Sequence, residues 1–475
     1  MAWCDTDRRL TLTGSVARIA HATADIAKTG EKLAKSIENR EKSAQKSSIL
    51  PADALISSIA ASLHRLRYNA RMNQVAPKPH SLPVPETDAL EHSRRLTAYL
   101  ADAIAASGGW LPFDRFMELA LYAPGLGYYA AGAAKFGRLA ADGSDFVTAP
   151  ELTPFFARTL ARQLGEIFEQ TGDARVLEFG AGSGRLAADL LLALEAEGTP
   201  CEQYSIMELS GELRARQRDT IEKAAPHLLD RVTWLDQLPD AFHGVMLGNE
   251  VLDAMPVRLW ARRPDEKGQP HWFERGVVLT QEGFAWEERL YTGPLPDALT
   301  ALDDLPPTQE YLTETHEAGA AFVRSVAPLL ARGVLLLIDY GFPAREYYHA
   351  QRAGGTLMCH YRHHAHDDPF YYPGLQDITA HVEFSGIADA GVEAGLDLLG
   401  FTSQARFLMN AGIVDLMSAL DPTDPKTFLP AASAAQKLLS EAEMGELFKV
   451  IAFGRGMDEW AGLIGFANGD RSHAL

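Results

Sequence analysis

A short acidic and glycine-rich segment has the residue types and the spacing to bind a small charged ligand. It covers residues 176–184, Val-Leu-Glu-Phe-Gly-Ala-Gly-Ser-Gly, with Glu178 ahead of three alternate glycines, Gly180, Gly182 and Gly184. Glycine has no Cβ, so a turn made of it lets the backbone approach a ligand closely. The helix that follows would present free N–H groups and positive potential to a carboxylate. The segment therefore predicts a ligand-binding turn between a strand and a helix.

This pattern resembles the first motif of the class I S-adenosylmethionine-dependent methyltransferases, E/D-x-G-x-G-x-G. The resemblance implies S-adenosyl-L-methionine as cofactor, with Glu178 near the amino group of its methionine portion. A dinucleotide site would need a third glycine where this chain has Arg185, which disfavours NAD and FAD. The alternative function for the whole protein is a nucleotide-dependent oxidoreductase. For the glycine motif by itself, the alternative is a tight strand–helix turn that binds no ligand.

Acidic and amide side chains close the strands predicted after the glycine turn. Glu208 comes 24 residues after Gly184, near the ~20-residue offset at which an acid holds ribose hydroxyls. Asp236 closes the next strand, where an aspartate could contact the adenine amino group or merely open a loop. Asn249 closes the strand after that. Ligands of open parallel sheets lie at the carboxyl ends of the strands, so we expect these cofactor-binding candidates to face one pocket.

Further motifs extend the resemblance to one family. Along residues 90–460 the chain carries GYY, FG…SDFVTAPELTPFF, LGNEVLDAMPV, LIDYG, GTLMCHYRHHAHDDPFYYPGLQDITAHVEFSGI and ELFKVIAFG. The combination resembles the MidA-like methyltransferases, a family that includes a mitochondrial complex I assembly factor that symmetrically dimethylates an arginine. The resemblance implies a protein substrate, with a respiratory complex I subunit or its bacterial counterpart as candidate. Two departures are a longer insertion after Phe136-Gly137 and Ser144 in place of an expected glycine.

Glu250 and Asp253, in Asn-Glu-Val-Leu-Asp-Ala-Met-Pro, are candidate catalytic residues. A guanidinium keeps its proton near neutral pH, and its planar donor fork suits bidentate binding by a carboxylate. The two acids could hold a guanidinium and align one nitrogen with the methyl group, although Asp253 could instead cap a helix. His381 is the third candidate, as a proton acceptor or substrate-orienting group, against the alternative of a histidine hydrogen-bonded in the core.

Composition excludes several other classes of protein. The 475 residues include 44 Lys+Arg and 63 Asp+Glu, a formal net charge of −19, which opposes binding to a phosphate backbone. Three scattered cysteines give no disulfide framework or cysteine-zinc site, and the His-rich segment 359–368 matches no usual zinc spacing. No run reaches the ~18 apolar residues of a membrane span. We therefore predict that the protein binds no metal and no nucleic acid and does not insert into a membrane. Residues 359–368 are expected to form a surface or substrate-facing loop, and the expected location is the cytoplasm.

Short apolar runs alternate with helical patterns after residue 172, which predicts a doubly wound α/β sheet. A helix near 154–170 precedes this region, and an antiparallel hairpin over RLWARR and HWFERGVVLTQEGFAWEERLY is expected as an insertion. VEFSGIADAGVEAGLDLLG, residues 382–400, predicts a helix. Strands are expected at 174–180, 203–209, 231–236, 244–250, 333–341, 402–409 and 447–455.

The predicted fold class is α/β, a class I methyltransferase (Rossmann-like) doubly wound sheet with a helical N-terminal cover and β and helical insertions. Residues 1–80 carry a charge of +6 and the rest −25, so a polar, disordered extension is expected over 1–84. The other predicted segments are a helical cover at 85–171 and a methyltransferase domain at 172–475, with insertions at about 256–330, 342–378 and 409–443. The predicted function is methylation of an arginine in a protein. The alternatives are a catalytically silent scaffold of the same fold and a small-molecule methyltransferase.

Overall fold

The structure is a computed structural model that describes residues 82–130, 148–300, 302–457 and 459–475. Most of the predicted extension lies outside the described residues, and so do both departures from the family pattern, after Phe136-Gly137 and at Ser144. The described residues belong to one unit, Val75–Leu475. The predicted domain boundaries stay predictions.

Helices and strands alternate along the described part of the chain. The helices are α1 (Thr87–Ala106), α2 (Phe113–Tyr122), α3 (Ala149–Leu152), α4 (Pro154–Thr171), α5 (Arg185–Ala196), α6 (Gly211–Ala224), α7 (Asp297–Thr300), α8 (Glu317–Val326), α9 (Ala344–Tyr347), α10 (Phe384–Glu393), α11 (Gln404–Asn410), α12 (Ile413–Ser418), α13 (Pro425–Leu439) and α14 (Met444–Leu447). The strands are β1 (Leu111–Pro112), β2 (Arg175–Phe179), β3 (Gln203–Met207), β4 (Val232–Leu235), β5 (Phe242–Asn249), β6 (Arg258–Pro264), β7 (Pro270–Thr280), β8 (Gly283–Leu290), β9 (Tyr311–Thr315), β10 (Leu330–Phe342), β11 (Met358–Tyr361), β12 (His364–His366), β13 (Asp377–Thr379), β14 (Val382–Glu383), β15 (Asp397–Ser403) and β16 (Phe448–Arg455).

The central sheet is doubly wound, as the alternation of strands and helices predicts. Its strand order is β15-β16-β10-β5-β2-β3-β4. The strands from β10 to β4 are parallel, and β16 is antiparallel to both of its neighbours. The chain leaves β2 towards β3 and β4 and then returns to β5 on the other side of β2. The switch point at which such sheets bind ligands therefore lies at the carboxyl ends of β2 and β5.

Both faces of the central sheet are covered, which explains its continuous apolar runs. On β10, Val334 and Leu336 belong to the core that includes residues of α4 and α5. Leu335 and Leu337 belong to the core on the other face, which includes residues of α8 and α10. Successive side chains of a strand point to opposite faces, so a strand buried on both sides needs an apolar residue at every position.

The inserted β structure is larger than the predicted hairpin. β6, β7 and β8 form the expected antiparallel ribbon, but β9 also pairs with β6 and β1 pairs with β7. Leu100 of α1 and Phe113 of α2 share a core with Leu259 and Val277 of this second sheet. The N-terminal helices thus bury their apolar faces on the inserted sheet, which the local pattern of either segment could not show.

The strand predicted at 402–409 is wrong. β15 ends at Ser403 and α11 begins at the next residue. The Ser403 hydroxyl accepts a hydrogen bond from the N–H of Arg406 at 3.4 Å, as an N-cap serine does. Phe407 and Leu408 of the new helix are buried. The helix predicted over 382–400 is shorter, because α10 ends at Glu393.

The His-rich segment forms strands where a loop was predicted. β11 pairs with β12 and with β13, and Arg362 and His363 turn the chain with φ of 46° and 62°. Cys359 and His366 are buried. In the described ranges, no three His, Cys, Asp or Glu side chains are grouped to hold a metal ion. None of the described helices combines the length and the apolar character needed to cross a membrane.

Candidate functional site

The glycine turn lies at the carboxyl end of β2 and follows a backbone path that favours glycine. Gly180, Gly182 and Gly184 have φ of +65°, +52° and +80°, a region that residues with a side chain rarely adopt. A Cβ on Gly184 would lie 2.8 Å from Cα of Gln217 on α6. Gln217 Nε2 also donates to the Gly182 carbonyl at 3.2 Å. Glycine at 184 thus lets α6 approach the turn closely, and the position of the turn at the switch point fits the cofactor that the motif implies.

The acid that follows β3 is held in place by α6. Glu208 Oε1 accepts a hydrogen bond from the N–H of Ser210 at 2.8 Å, and Oε2 accepts one from Gln217 Nε2 at 3.1 Å. Binding of the ribose by Glu208 stays a prediction.

Asp236 and Glu178 lie at opposite extremes of exposure. The Asp236 side chain is 88% exposed and pairs with Arg214 at 2.8 Å. Glu178 is buried, and its Oε2 accepts a hydrogen bond from Tyr204 Oη at 2.8 Å. Burial raises the pKa of Glu178 to about 7. Contacts of these two acids with the adenine and the amino group stay predictions.

Glu250 follows β5 at the switch point in a strained conformation. Its φ is +54°, which is costly for a residue with a side chain and is concentrated at functional sites. Its N–H donates to the Ile338 carbonyl of β10 at 2.8 Å. The carboxylate accepts a hydrogen bond from Asn249 Nδ2 at 3.0 Å. Burial, and next the charge of Asp253, raise the pKa of Glu250 to about 8. The predicted contact of Asn249 with the cofactor stays a prediction.

Asp253 is fixed by a neighbouring strand and does not cap a helix, since turns follow it. Its Oδ2 accepts a hydrogen bond from Tyr340 Oη at 2.6 Å, and its Oδ1 is buried without a hydrogen-bond partner among the described residues. Asp339 accepts hydrogen bonds from the N–H groups of Leu252 and Asp253 at 2.8 and 3.2 Å. Burial, and then the charges of Asp253 and Glu250, raise the pKa of Asp339.

A tyrosine–aspartate pair from distant segments adjoins these acids. Tyr129 Oη lies 2.9 Å from both carboxylate oxygens of Asp377. The Tyr129 ring stacks on Tyr122 with 5.5 Å between centroids, and Tyr122 Oη donates to the Ala254 carbonyl at 3.0 Å. The N–H of Ala380, three residues after Asp377, donates to the Asp253 carbonyl at 2.9 Å, which places the pair beside the switch point.

We call Glu250, Asp253, Asp339 and Asp377 the acidic cluster. The sequence analysis singled out the first two and missed the others, although both stand in motifs that carried the family resemblance, LIDYG and LQDITAH. A charged residue at the end of an apolar strand was the available signal. Like charges gathered in a buried site favour a bound cation.

His381 packs against the ring of Tyr340. The two rings are 5.2 Å apart, and the N–H of His381 donates to Thr356 Oγ1 at 3.1 Å. Burial, followed by the charges of Arg352 and Lys449, lowers the pKa of His381 to about 3, so the ring is neutral near pH 7. Its Nδ1 has no hydrogen-bond partner in the described part of the chain. A catalytic role for His381 stays a prediction.

A doubly wound sheet with a glycine turn at its switch point, an acid after the next strand and an adjoining acidic cluster has the features of an S-adenosylmethionine-dependent methyltransferase. Residues 159–402, just over half of the chain, match the sequence model of a family described as "Putative S-adenosyl-L-methionine-dependent methyltransferase". The chain belongs to this family. Membership confirms the predicted fold class, enzyme class and cofactor.

Individual relatives agree with this assignment. A crystal structure from Burkholderia thailandensis, bound to S-adenosyl-homocysteine, is 60% identical, covers 83% of this chain and 100% of its own, and has a TM-score of 0.78. "Protein arginine methyltransferase NDUFAF7 homolog, mitochondrial" from Caenorhabditis elegans is 28% identical over 351 residues, 68% of this chain and 78% of the relative. "Protein arginine methyltransferase NDUFAF7, mitochondrial" from Danio rerio is 26% identical over 385 residues, 75% of this chain and 86% of the relative.

The relatives' names contradict the cytoplasmic location predicted from the sequence. Both curated relatives are named mitochondrial. The prediction rested on a low cysteine count and on the lack of a long apolar run. A low cysteine count does not separate one reducing compartment from another, so this criterion was too weak.

Proposed function

We propose that the protein transfers a methyl group from S-adenosylmethionine to a guanidino nitrogen of an arginine in a protein substrate. The acidic cluster is the observation that carries this proposal. Burial raises the pKa values of Glu250, Asp253 and Asp339, and one oxygen of Asp253 is buried without a partner in the described residues. A cation bound among these carboxylates would offset the cost of burying their charge.

A guanidinium suits this site better than an ammonium. Arginine stays protonated and presents a flat fork of N–H donors that two or more carboxylates can grip at once. A lysine must lose its proton before its nitrogen can attack a methyl group, and nearby carboxylates would hold that proton on. The same acids that would bind and orient arginine would therefore suppress methylation of lysine.

The residues of this chain supply binding, alignment and a proton acceptor. When bound, the cofactor provides an electrophilic methyl group on its sulfonium. Glu250 would hold one edge of the guanidinium, while Asp253, fixed by Tyr340, would hold the other. The methylated nitrogen must lose one proton, and Glu250, with a pKa of about 8 before substrate binds, is suited to take it.

A groove next to the acidic cluster supports a protein substrate. Its volume is about 450 Å³, and its lining includes Asp114, Glu118, Tyr122, Pro256, Arg258 and Glu317. Tyr122 also stacks on Tyr129, the partner of Asp377, so the groove adjoins the cluster. We infer that the segment flanking the target arginine lies here. Both curated relatives are named protein arginine methyltransferases, which agrees with this proposal.

The test is to incubate the purified protein and S-adenosylmethionine labelled on its methyl group with extract from cells that lack the gene. Label recovered as methylarginine in protein would support the proposal, and the family resemblance makes a complex I subunit the first purified acceptor to assay. Label in lysine or only in small molecules would overturn it. Cofactor binding without any transfer would instead support the scaffold alternative.

The pH dependence of transfer is expected to reflect the raised pKa values. Because Glu250, Asp253 and Asp339 have raised pKa values, these acids are protonated, and bind a guanidinium poorly, below those pKa values. Arginine stays charged throughout. We expect kcat/KM to rise up to about tenfold per unit of pH below the Glu250 pKa of about 8 and to level off above it. A flat or falling profile, with binding of S-adenosyl-homocysteine unchanged over the same range, would contradict this.

Reversing a charge at the groove is expected to weaken substrate binding only. Glu118 lies on the groove wall with its side chain 47% exposed. We expect Glu118→Lys to raise KM for the protein substrate about three- to tenfold with kcat nearly unchanged, because a charge at the rim acts on encounter more than on chemistry. Glu222→Lys, on the exposed face of α6, is the matched control. Equal effects in both variants would argue against the groove.

A further inference from the structure

Gln217 on α6 connects three parts of the cofactor site through one buried amide. The residue is fully buried. Its Nε2 donates hydrogen bonds to the Gly182 carbonyl of the glycine turn at 3.2 Å and to Glu208 Oε2 at 3.1 Å. Its Oε1 accepts a hydrogen bond from Trp234 Nε1 on β4 at 2.9 Å. The turn after β2, the acid after β3 and the strand β4 therefore meet at a single side chain.

The indole of Trp234 fixes the direction in which this amide points. An indole N–H can only donate a hydrogen bond, so the amide oxygen of Gln217 must face Trp234. The amide NH2 group then faces the Gly182 carbonyl and the Glu208 carboxylate, and each of its two protons has an acceptor. Because both protons are used, Gln217 has none left to donate to a ligand. Its effect on a ligand must pass through the two groups that it holds.

The backbone of Glu208 is held independently of Gln217. Arg214, one turn earlier on α6, donates to the Glu208 carbonyl at 2.6 Å and to the Leu235 carbonyl at 2.7 Å. The carboxylate itself accepts one hydrogen bond on each oxygen, from the N–H of Ser210 and from Gln217. Each carboxylate oxygen can accept a second hydrogen bond, so both stay able to bind a ligand hydroxyl. Loss of the Gln217 amide would thus free the plane of the carboxylate while the backbone of Glu208 stays tied to α6.

We propose that Gln217 is a positioning residue that aligns the Glu208 carboxylate with the glycine turn, so that both can bind the same cofactor molecule. The ribose hydroxyls would meet the carboxylate in the plane that the amide sets, while the turn faces the methionine portion. Gln217 itself touches neither part of the ligand. The inference rests on the predicted contact of Glu208 with the ribose, and the methyl acceptor plays no part in it.

The test compares S-adenosyl-homocysteine with its 2′-deoxy analogue, each titrated by calorimetry into the wild type and into Gln217→Met. Methionine has nearly the volume of glutamine but donates no hydrogen bond. In the wild type, we expect loss of the 2′-hydroxyl to weaken binding about 10- to 100-fold, the effect of one hydrogen bond to a charged group. In Gln217→Met, we expect S-adenosyl-homocysteine to bind weaker by about the same factor, and the penalty for the missing hydroxyl to fall to about threefold or less.

Two controls separate the orientation of the carboxylate from general damage. Trp234→Phe removes the hydrogen bond to the amide oxygen and keeps both N–H donors of Gln217, so we expect the penalty for the missing hydroxyl to stay within about threefold of the wild-type penalty. Gln436→Met, at an exposed position of α13, makes the same chemical change away from the site and should alter neither affinity.

Equal weakening of both ligands in Gln217→Met would overturn the proposal, because a residue that only supports the fold would not change the penalty for one hydroxyl. A wild type that binds the two ligands equally would overturn it as well. If Gln217→Met does not fold, Gln217→Glu carries the same test, since it keeps an acceptor for Trp234 and lacks the N–H groups. Failure of arginine methylation would leave these titrations intact, so the two proposals fail separately.

Discussion

Replacing Glu250 by glutamine is expected to lower kcat for methyl transfer by about 100- to 1000-fold, the usual cost of removing one group that stabilises charge in the transition state. Glutamine reproduces the shape of the protonated acid but cannot ionise, so the guanidinium loses its closest negative partner and the departing proton loses its acceptor. The change lies outside the glycine turn. We therefore expect the Kd of S-adenosyl-homocysteine to stay within about threefold of the wild-type value.

The measurement is single-turnover transfer to a purified arginine-containing acceptor, with calorimetry on the same preparations. Glu393→Gln is the matched control, because its side chain is 64% exposed and pairs with Arg324 at 3.0 Å at the surface. Full transfer by Glu250→Gln, with cofactor affinity unchanged, would remove Glu250 from the chemistry. A large loss in the control would instead show that amide substitution destabilises the enzyme in general.

Gly184→Val is expected to abolish measurable binding of S-adenosylmethionine, a loss of at least about 100-fold in affinity. The residue has φ of +80°, and a Cβ there would lie 2.8 Å from Cα and 3.1 Å from the carbonyl oxygen of Gln217. These are backbone atoms, which cannot rotate away as a side chain can. The turn and α6 must separate, and the same α6 residue hydrogen-bonds to Glu208.

Gly198→Val is the control that separates the effect of backbone strain from the effect of the steric clash with α6. Gly198 has the same φ of +80° but nothing within 4 Å of its Cβ position, so this variant has the backbone cost without the clash. Calorimetric titration with S-adenosylmethionine, S-adenosyl-homocysteine and NADH is the measurement. We expect the first two ligands to bind the wild type and Gly198→Val, and NADH to bind neither. Retention of cofactor binding by Gly184→Val would contradict the assignment of the turn.

Features that depend on neighbours in sequence were predictable. The glycine turn, the acid before it and the alternation of strands with helices are local patterns, and β2, β3 and β5 lie where they were expected. The cofactor could be predicted from the turn because its acid and its three glycines are close together in the sequence. The wrong prediction of a strand at 402–409 also has a local cause. In the sequence, a serine that caps a helix cannot be told from a polar residue of a strand, and only the burial of Phe407 and Leu408 in the fold distinguishes the two.

The part of the site that we propose binds the methyl acceptor depends on contacts between residues far apart in the chain. Tyr129 meets Asp377 across 248 positions, and Tyr340 meets Asp253 across 87. Neither pairing has a spacing that a helix or strand would impose. Tyr340 on β10 meets the turn that follows β5, and Tyr129, in the segment after α2, meets Asp377 of β13. The raised pKa of Glu250 has the same origin, since burial and charges from other segments cause it. Local sequence thus specifies a methyltransferase cofactor site, whereas long-range packing assembles the carboxylates that we propose bind the acceptor.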